Sequence, residues 1–151
     1  MNGQIYPSEL SLLERVERLE RHLGFGKLSY LKPNSKSINR AITTIQEVVS
    51  IICEIPIGLI VRKEFRGGED ITNARMLGIY LCVEYGIHDT HRIRIRFGRK
   101  DHTSVVYARK KVKELLGKDL KFRKLYEQCI KRLDVTLEGF IRNKVKIDYQ
   151  I

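Results

Sequence analysis

The chain has 151 residues, of which 42% are apolar and 31% charged, and its formal net charge is +11. This length suits about one domain with short appendages, and the composition excludes a disordered chain. No apolar run approaches the roughly 18 residues of a bilayer span, and the N-terminus lacks a secretory signal, so we expect a cytoplasmic protein.

An amphipathic helix is predicted near the N-terminus, over residues 8–23. Its apolar residues recur at helical spacing with Glu and Arg between them: Leu12, Val16, Leu19 and Leu23. Such a narrow stripe suits docking onto the rest of the domain and pairing with a second copy of the chain equally well. Turn-forming residues over 32–37 then predict a linker.

Four further helices are predicted from apolar periodicity, over residues 38–54, 71–86, 105–116 and 120–133. Pro56 ends the first of them and Gly117 ends the third. A polar segment over 62–70 is predicted to be an exposed loop, with Asp70 or Thr72 capping the helix that follows. The predicted fold class is therefore all-α, a small helical bundle.

The excess positive charge is concentrated in one part of the chain. Residues 92–132 contain 15 of the basic and four of the acidic residues, whereas the remaining 14 basic and 14 acidic residues cancel. A basic segment of this kind is typical of proteins that bind polyanions, most often nucleic acid. A solubilising surface and an anionic membrane surface are the alternatives.

The cysteines and histidines do not predict a metal site. Cys53, Cys82 and Cys129 are far apart and lie in apolar runs, so we expect buried, reduced thiols. The histidines lack further ligands at a recognised spacing. We expect no metal and no cofactor.

The segment RIRIRFGRKDHTSV, residues 92–105, has two interpretations. Its first half alternates basic and apolar residues as a strand does, and Asp101 and His102 precede two hydroxyl residues, as a catalytic group would. Alternatively, Asp101 is the cap of a helix. Neighbours on a helix point about 100° apart, so these side chains would not converge as a catalytic triad does. With no phosphate-cradling loop either, we expect no enzyme and no nucleotide site.

Three segments carry a resemblance to a known family. FGRKDHTSVVYARKKV, residues 97–112, resembles the signature of bacterial DnaA, the replication initiator, which reads Phe-Gly-Gly-Arg-Asp-His-Thr-Thr-Val and continues into a basic helix. ARMLGIYL, residues 74–81, is similar to the family's helix with the pattern Arg-x-x-x-x-Tyr-Leu. Residues 45–63 resemble the helix and basic loop that open the family's C-terminal DNA-binding domain. The resemblance covers roughly residues 38–116 and does not include the ATPase module.

The resemblance implies a helix-turn-helix and favours the helical interpretation of the ambiguous segment. Residues 88–97 would form the supporting helix and residues 98–100 the turn, and the recognition helix would follow from Asp101. The chain departs from the family pattern at Arg99, which replaces the second glycine, and in a longer loop before residue 71.

Roles for individual residues follow. Asp101 is the expected N-cap of the recognition helix. From the first turn of that helix, three side chains would read base edges in the major groove: His102, Thr103 and Ser104. Phosphate contacts are expected for five basic residues: Arg99, Lys100, Arg109, Lys110 and Lys111. The resemblance to the family's basic loop and clamping helix end implies minor-groove or backbone contacts for three others: Arg62, Lys63 and Arg75.

These observations predict three segments: residues 1–36 as an amphipathic helix and linker, 37–134 as a DnaA-like helical domain, and 135–151 as a tail. The predicted function is sequence-specific binding of double-stranded DNA in the regulation of transcription or replication. An RNA- or protein-binding adaptor that uses the same basic face is the alternative. The predicted partners are duplex DNA and a second copy of the chain joined through residues 8–23.

Overall fold

The computed structural model describes residues 34–137, and this part of the chain contains helices and no strand. The six helices are α1 Ser35–Cys53, α2 Ile57–Ile60, α3 Glu69–Glu84, α4 Thr90–Arg96, α5 Thr103–Lys118 and α6 Leu120–Thr136. The predicted all-α class is confirmed. The predicted N-terminal helix over 8–23 and the residues after 137 lie outside the described residues.

Helix α3 forms the centre of the bundle. It contacts α1, α2, α4 and α5, and each residue from Ala74 to Cys82 is buried. Gly78 lets α4 approach closely, because a Cβ there would lie 2.7 Å from Cε1 of Phe97. Helix α6 packs on α1 and α5 and closes the other side of the core. No described helix is long and apolar enough to cross a membrane.

The first helix begins earlier than predicted. The Asn34 side chain accepts a hydrogen bond of 2.9 Å from the backbone N–H of Ser37 and caps α1, so Ser35 to Ser37 belong to the helix rather than to a linker. The helix ends at Cys53, and its C-cap Glu54 adopts a left-handed conformation with φ of 56°. Pro56 instead precedes α2, where its missing N–H costs no helical hydrogen bond.

Two other predicted helix ends were wrong. Helix α3 follows Gly68 without a side-chain cap, and the Thr72 hydroxyl donates to the carbonyl of Arg66 instead of capping the helix. Gly117 lies inside α5 rather than at its end. The chain turns at Asp119, whose carboxylate accepts from the N–H of Phe122 at 3.1 Å and caps α6.

The three cysteines have no disulfide partner: Cys82 and Cys129 are buried and Cys53 is partly buried. Burial raises the pKa of the Cys53 thiol to about 11 and that of Cys129 to about 12. The thiols are thus core groups in their neutral form at physiological pH, as predicted.

Candidate nucleic-acid interface

Helices α4 and α5 and the turn between them form a helix-turn-helix. The Asp89 carboxylate accepts from the N–H of Arg92 at 3.0 Å and starts α4. The turn follows Phe97 and passes through Gly98, which has a φ of 69°. Helix α5 then anchors one face in the core through Val105, Ala108, Val112 and Leu116. Its opposite face is therefore available to a partner.

Asp101 organises the start of α5. Its carboxylate accepts from the N–H of Thr103 at 3.1 Å, and its carbonyl accepts from the Ser104 hydroxyl at 2.6 Å. The N–H of Thr103 is the main cause that lowers the pKa of the Asp101 carboxyl. The helix bounds make His102 the cap position, but the His102 side chain accepts no capping bond. Asp101 thus lies one residue before the cap position and still accepts the free N–H of Thr103, as a cap residue does.

The three residues predicted to read bases differ in exposure. The His102 side chain is 71% exposed, and its Nδ1 lies 3.2 Å from the Asp101 carboxylate. Thr103 is also exposed, whereas Ser104 is partly buried and its hydroxyl is engaged. His102 and Thr103 are therefore the two exposed residues of the three, and both also contact Asp101.

Sequence reasoning missed two side chains on the outward face of α5. Val106 and Tyr107 are each 59% exposed. They follow Thr103 by three and four positions, so they lie on the same side of the helix. The available signal was the helical register, in which Val105, Ala108 and Val112 occupy the core side and leave these two outside.

The cations on α5 are concentrated before its last turn. Arg109 and Lys110 are exposed and Lys111 is partly buried. Further along, Glu114 accepts a hydrogen bond of 3.2 Å from Lys118 and lies 3.9 Å from Lys111. The Lys118 bond is the main cause that lowers the pKa of Glu114. An ionised Glu114 therefore offsets positive charge next to Lys111 and Lys118, whereas Arg109, Lys110 and Lys113 are exposed cations of α5.

A basic loop, residues 61–68, lies against the turn of the helix-turn-helix. The N–H of Glu64 donates to the carbonyl of Gly98 at 2.8 Å. Arg62 and Lys63 are exposed, and the Arg62 guanidinium stacks 4.9 Å from the centre of the Phe65 ring. The loop thus brings two of the predicted cations next to the start of α5.

Two other predicted cations face the protein, whereas Lys100 is exposed. Arg75 is only 3% exposed, and its guanidinium donates to three backbone carbonyls, those of Leu59, Ile60 and Arg66, at 3.2, 2.8 and 3.1 Å. Burial, followed by the nearby charge of Arg99, lowers the pKa of Arg75 to about 10. Arg99 is partly buried and also donates to backbone carbonyls. In this structure Arg75 therefore does not offer its charge to a partner.

A groove of about 670 Å³ separates the basic loop and the first half of α3 from α5. The Tyr107 side chain and Ser104 line its α5 wall, and Asn73 lies on the α3 wall. Three of its lining cations come from different elements: Arg66, Arg99 and Lys111. These cations and Arg75 line the groove together with two carboxylates, those of Glu64 and Glu69, beside the exposed start of α5.

Comparisons with known proteins agree on one family. Residues 42–112 match the family model described as the bacterial DnaA protein helix-turn-helix. A chromosomal replication initiator protein DnaA from Enterococcus faecalis is 30% identical over 106 residues, which cover 68% of this chain and 23% of that protein. The DnaA of Thermodesulfovibrio yellowstonii is 32% identical over 92 residues, covering 60% and 21%. The DnaA of Rickettsia akari is 39% identical over 54 residues, covering 36% and 12%.

This chain spans less than a quarter of the length of these relatives. The matched segment runs from within α1 to within α5 and includes the basic loop and the whole turn between α4 and α5. Residues 42–112 of the chain therefore belong to the bacterial DnaA helix-turn-helix family.

Proposed function

We propose that this domain binds double-stranded DNA in a sequence-specific manner, with the start of α5 in the major groove and the basic loop at the adjacent minor groove. The observation that carries the proposal is the exposure of His102 and Thr103 on the first turn of a helix anchored behind them by the core. Thr103 offers a hydroxyl for hydrogen bonding and a methyl group for contact with thymine.

Phosphate contacts are proposed for the exposed cations around that turn. Lys100, Arg109 and Lys110 flank the base-reading residues, and Arg62 and Lys63 extend the positive surface along the loop. Such contacts fix the position of a protein on the duplex without reading its sequence. Affinity would come mainly from this group and specificity from His102 and Thr103.

The biological role we propose is control of replication or transcription through occupation of initiator-type sites. The relatives are named chromosomal replication initiators. This chain spans less than a quarter of the length of these initiators. We therefore propose only that it binds such DNA sites, and not that it has their complete activity. A bound sequence selected from a random pool of duplexes would identify the sites.

Alanine variants test the proposal. His102→Ala and Thr103→Ala should each weaken binding to the selected duplex by about 1–3 kcal/mol and leave binding to scrambled duplex nearly unchanged. Lys110→Ala is the matched control from the same helix, and it should weaken both duplexes equally because it contacts phosphate. Fluorescence anisotropy titrations measure both affinities.

Two outcomes would contradict the assignment. Identical behaviour of the His102 and Lys110 variants on selected and scrambled DNA would show that α5 does not read bases. A preference of the wild-type chain for structured RNA or single strands over duplex would support the adaptor function instead.

We also propose a homodimer joined through residues 8–23, which lie outside the described residues. The support is the apolar stripe of the sequence, since one helix-turn-helix reads a short site and gains affinity from a second copy. Leu12→Lys together with Leu19→Lys should convert a dimer to a monomer in sedimentation velocity runs. A wild-type monomer, or a dimer that survives both substitutions, would exclude this contact.

A further inference from the structure

We infer that Arg99 is a positioning residue that fixes the basic loop relative to the recognition helix α5, and that DNA binding by Arg62 depends on it. This inference rests on the proposed function, since the loop matters only if it meets DNA. The contacts that carry it lie within the protein. The Arg99 Nη2 donates to the carbonyls of Arg62 and Phe65 at 3.2 and 2.8 Å, and its Nε donates to that of Phe97 at 3.2 Å.

The loop tip is built around this guanidinium. The N–H of Phe65 donates to the carbonyl of Arg62 at 3.2 Å and closes a four-residue turn. Within it Glu64 adopts a φ of 52°, a left-handed conformation that costs a non-glycine residue free energy. Such a conformation persists when surrounding contacts hold it. Arg99 accounts for two of those contacts, and the Glu64 N–H to the Gly98 carbonyl provides another.

Arg75 and Arg99 hold different parts of the loop. Arg75 binds the carbonyls of Leu59 and Ile60, which end α2 just before the loop, and that of Arg66 in the second half of the loop. Arg99 binds the tip and comes from the turn that leads into α5. Of these two arginines, Arg99 alone connects the loop tip to the turn that leads into α5, beside the backbone bond from the Glu64 N–H to the Gly98 carbonyl.

The position of the tip determines the position of the Arg62 charge. Arg62 stacks on the Phe65 ring at 4.9 Å, and Arg99 holds the backbone of both residues. The DnaA signature that the sequence resembles has a glycine where this chain has Arg99, and the resemblance implies a longer loop before residue 71. The longer loop thus coincides with a side chain long enough to brace it.

Lysine cannot replace Arg99 in this arrangement. The planar guanidinium directs several N–H groups in fixed directions, and here it spans carbonyls of two different chain segments. The single nitrogen of a lysine side chain keeps the charge but has no such fork. Arg99→Lys therefore separates loop positioning from simple attraction to phosphate.

A double-mutant cycle on duplex DNA tests the inference. Arg62→Ala and Arg99→Ala should each weaken binding, and the double variant should bind about as well as Arg99→Ala alone, a coupling of about tenfold. Arg99→Lys should lose affinity as Arg99→Ala does.

Lys100→Ala is the control, because this exposed neighbour makes no side-chain bond to the loop. Its effect should multiply with that of Arg62→Ala to within about twofold. Multiplicative effects for Arg62 and Arg99, or full binding by Arg99→Lys, would overturn the inference and make Arg99 a phosphate contact.

Amide hydrogen exchange of the free, full-length protein provides a second test that needs no DNA. The Glu64 amide donates to the Gly98 carbonyl and should exchange at least about tenfold faster in Arg99→Lys and Arg99→Ala. Both variants lose the hydrogen bonds from the charged guanidinium that hold the loop in the wild type. Lys113→Ala, an exposed cation of α5 away from the loop, should leave that rate unchanged.

The two tests separate the inference from the proposed function. Wild-type protein that fails to bind any duplex would refute the proposed function, and faster Glu64 exchange would still support the bracing of the loop. Unchanged Glu64 exchange in both Arg99 variants would overturn the bracing itself, whatever the DNA result.

Discussion

Gly98 is a residue whose substitution tests the contact between the turn and the basic loop. Its φ of 69° suits glycine, and a Cβ there would lie 2.4 Å from the carbonyl oxygen of Val61. Gly98→Ala should therefore reduce the free energy of unfolding by about 2–4 kcal/mol, from left-handed strain and overpacking together. Urea denaturation measures it.

Gly58→Ala is the matched control for that substitution. Gly58 lies in α2, and a Cβ there would meet nothing within 4 Å. Alanine in a helix is favoured over glycine by about 1 kcal/mol, so this variant should be as stable as the wild type or slightly more stable. Equal losses in both variants would contradict the close approach of the loop to the turn.

The sequence could not predict which arginines face a partner and which donate to carbonyls of the protein itself. The exposure of His102 and Thr103 follows from helix capping, which is local and places them one and two residues after Asp101. Arg75 and Arg99 were predicted to face a partner, yet most of the carbonyls to which they donate belong to residues 9 to 37 positions away. Nothing in local periodicity shows which long-range acceptors a guanidinium will meet.

At the scale of the element, α4 shows why alternation can mislead. The segment from Arg92 to Phe97 alternates as a strand does, and a strand would bury Ile93, Ile95 and Phe97 on one face. The structure buries Ile93 and Phe97, four residues apart, and leaves Ile95 54% exposed, which is the pattern of a helix. Tertiary contacts decide the outcome, because the Gln46 amide of α1 donates to the Arg96 carbonyl at 2.8 Å.

The start of α5 should depend on pH through Asp101. Its pKa in the folded protein is below the ordinary value of 3.8, so its carboxylate stabilises the helix start fully above that value. This stabilisation is lost as the pH falls through the lower, folded-state pKa. Asp101→Asn keeps a cap acceptor without a titrating group.

The measurement is the difference in unfolding free energy between wild type and Asp101→Asn over a series of pH values. The advantage of the wild type should be largest near neutral pH and should disappear in strong acid, where the carboxyl is protonated. A difference that stays constant over the whole series would show that the carboxylate does not hold the Thr103 N–H in solution.

At the scale of the whole molecule, the net charge is larger than the positive charge that can face DNA. Several of the basic residues between 92 and 132 bind protein groups. Arg92 donates to the Ser35 carbonyl at 3.4 Å, Arg96 to that of Asn39 at 3.1 Å, and the 8% exposed Arg123 to that of Leu116 at 3.0 Å. These arginines join helices, so part of the charge that marks the chain as a polyanion binder stabilises the fold instead.

The salt dependence of DNA binding should reflect the smaller number of free cations. Six of the predicted phosphate and groove contacts are exposed or partly exposed without a bond to a backbone carbonyl: Arg62, Lys63, Lys100, Arg109, Lys110 and Lys111. Each neutralised phosphate of duplex DNA contributes about −0.9 to the slope of log affinity against log salt, so we expect a slope of about −5.

Titrations at a series of salt concentrations measure this slope, and Lys110→Ala should make it shallower by about 1. A flat dependence would refute the proposed basic surface. A slope near −9 would mean that arginines engaged inside the protein, Arg75 and Arg99 among them, leave their carbonyls and meet phosphates in the complex. A value near −5 would support two separate roles for the basic residues. The lysines and exposed arginines would bind DNA, and the arginines that donate to backbone carbonyls would hold the binding elements in place.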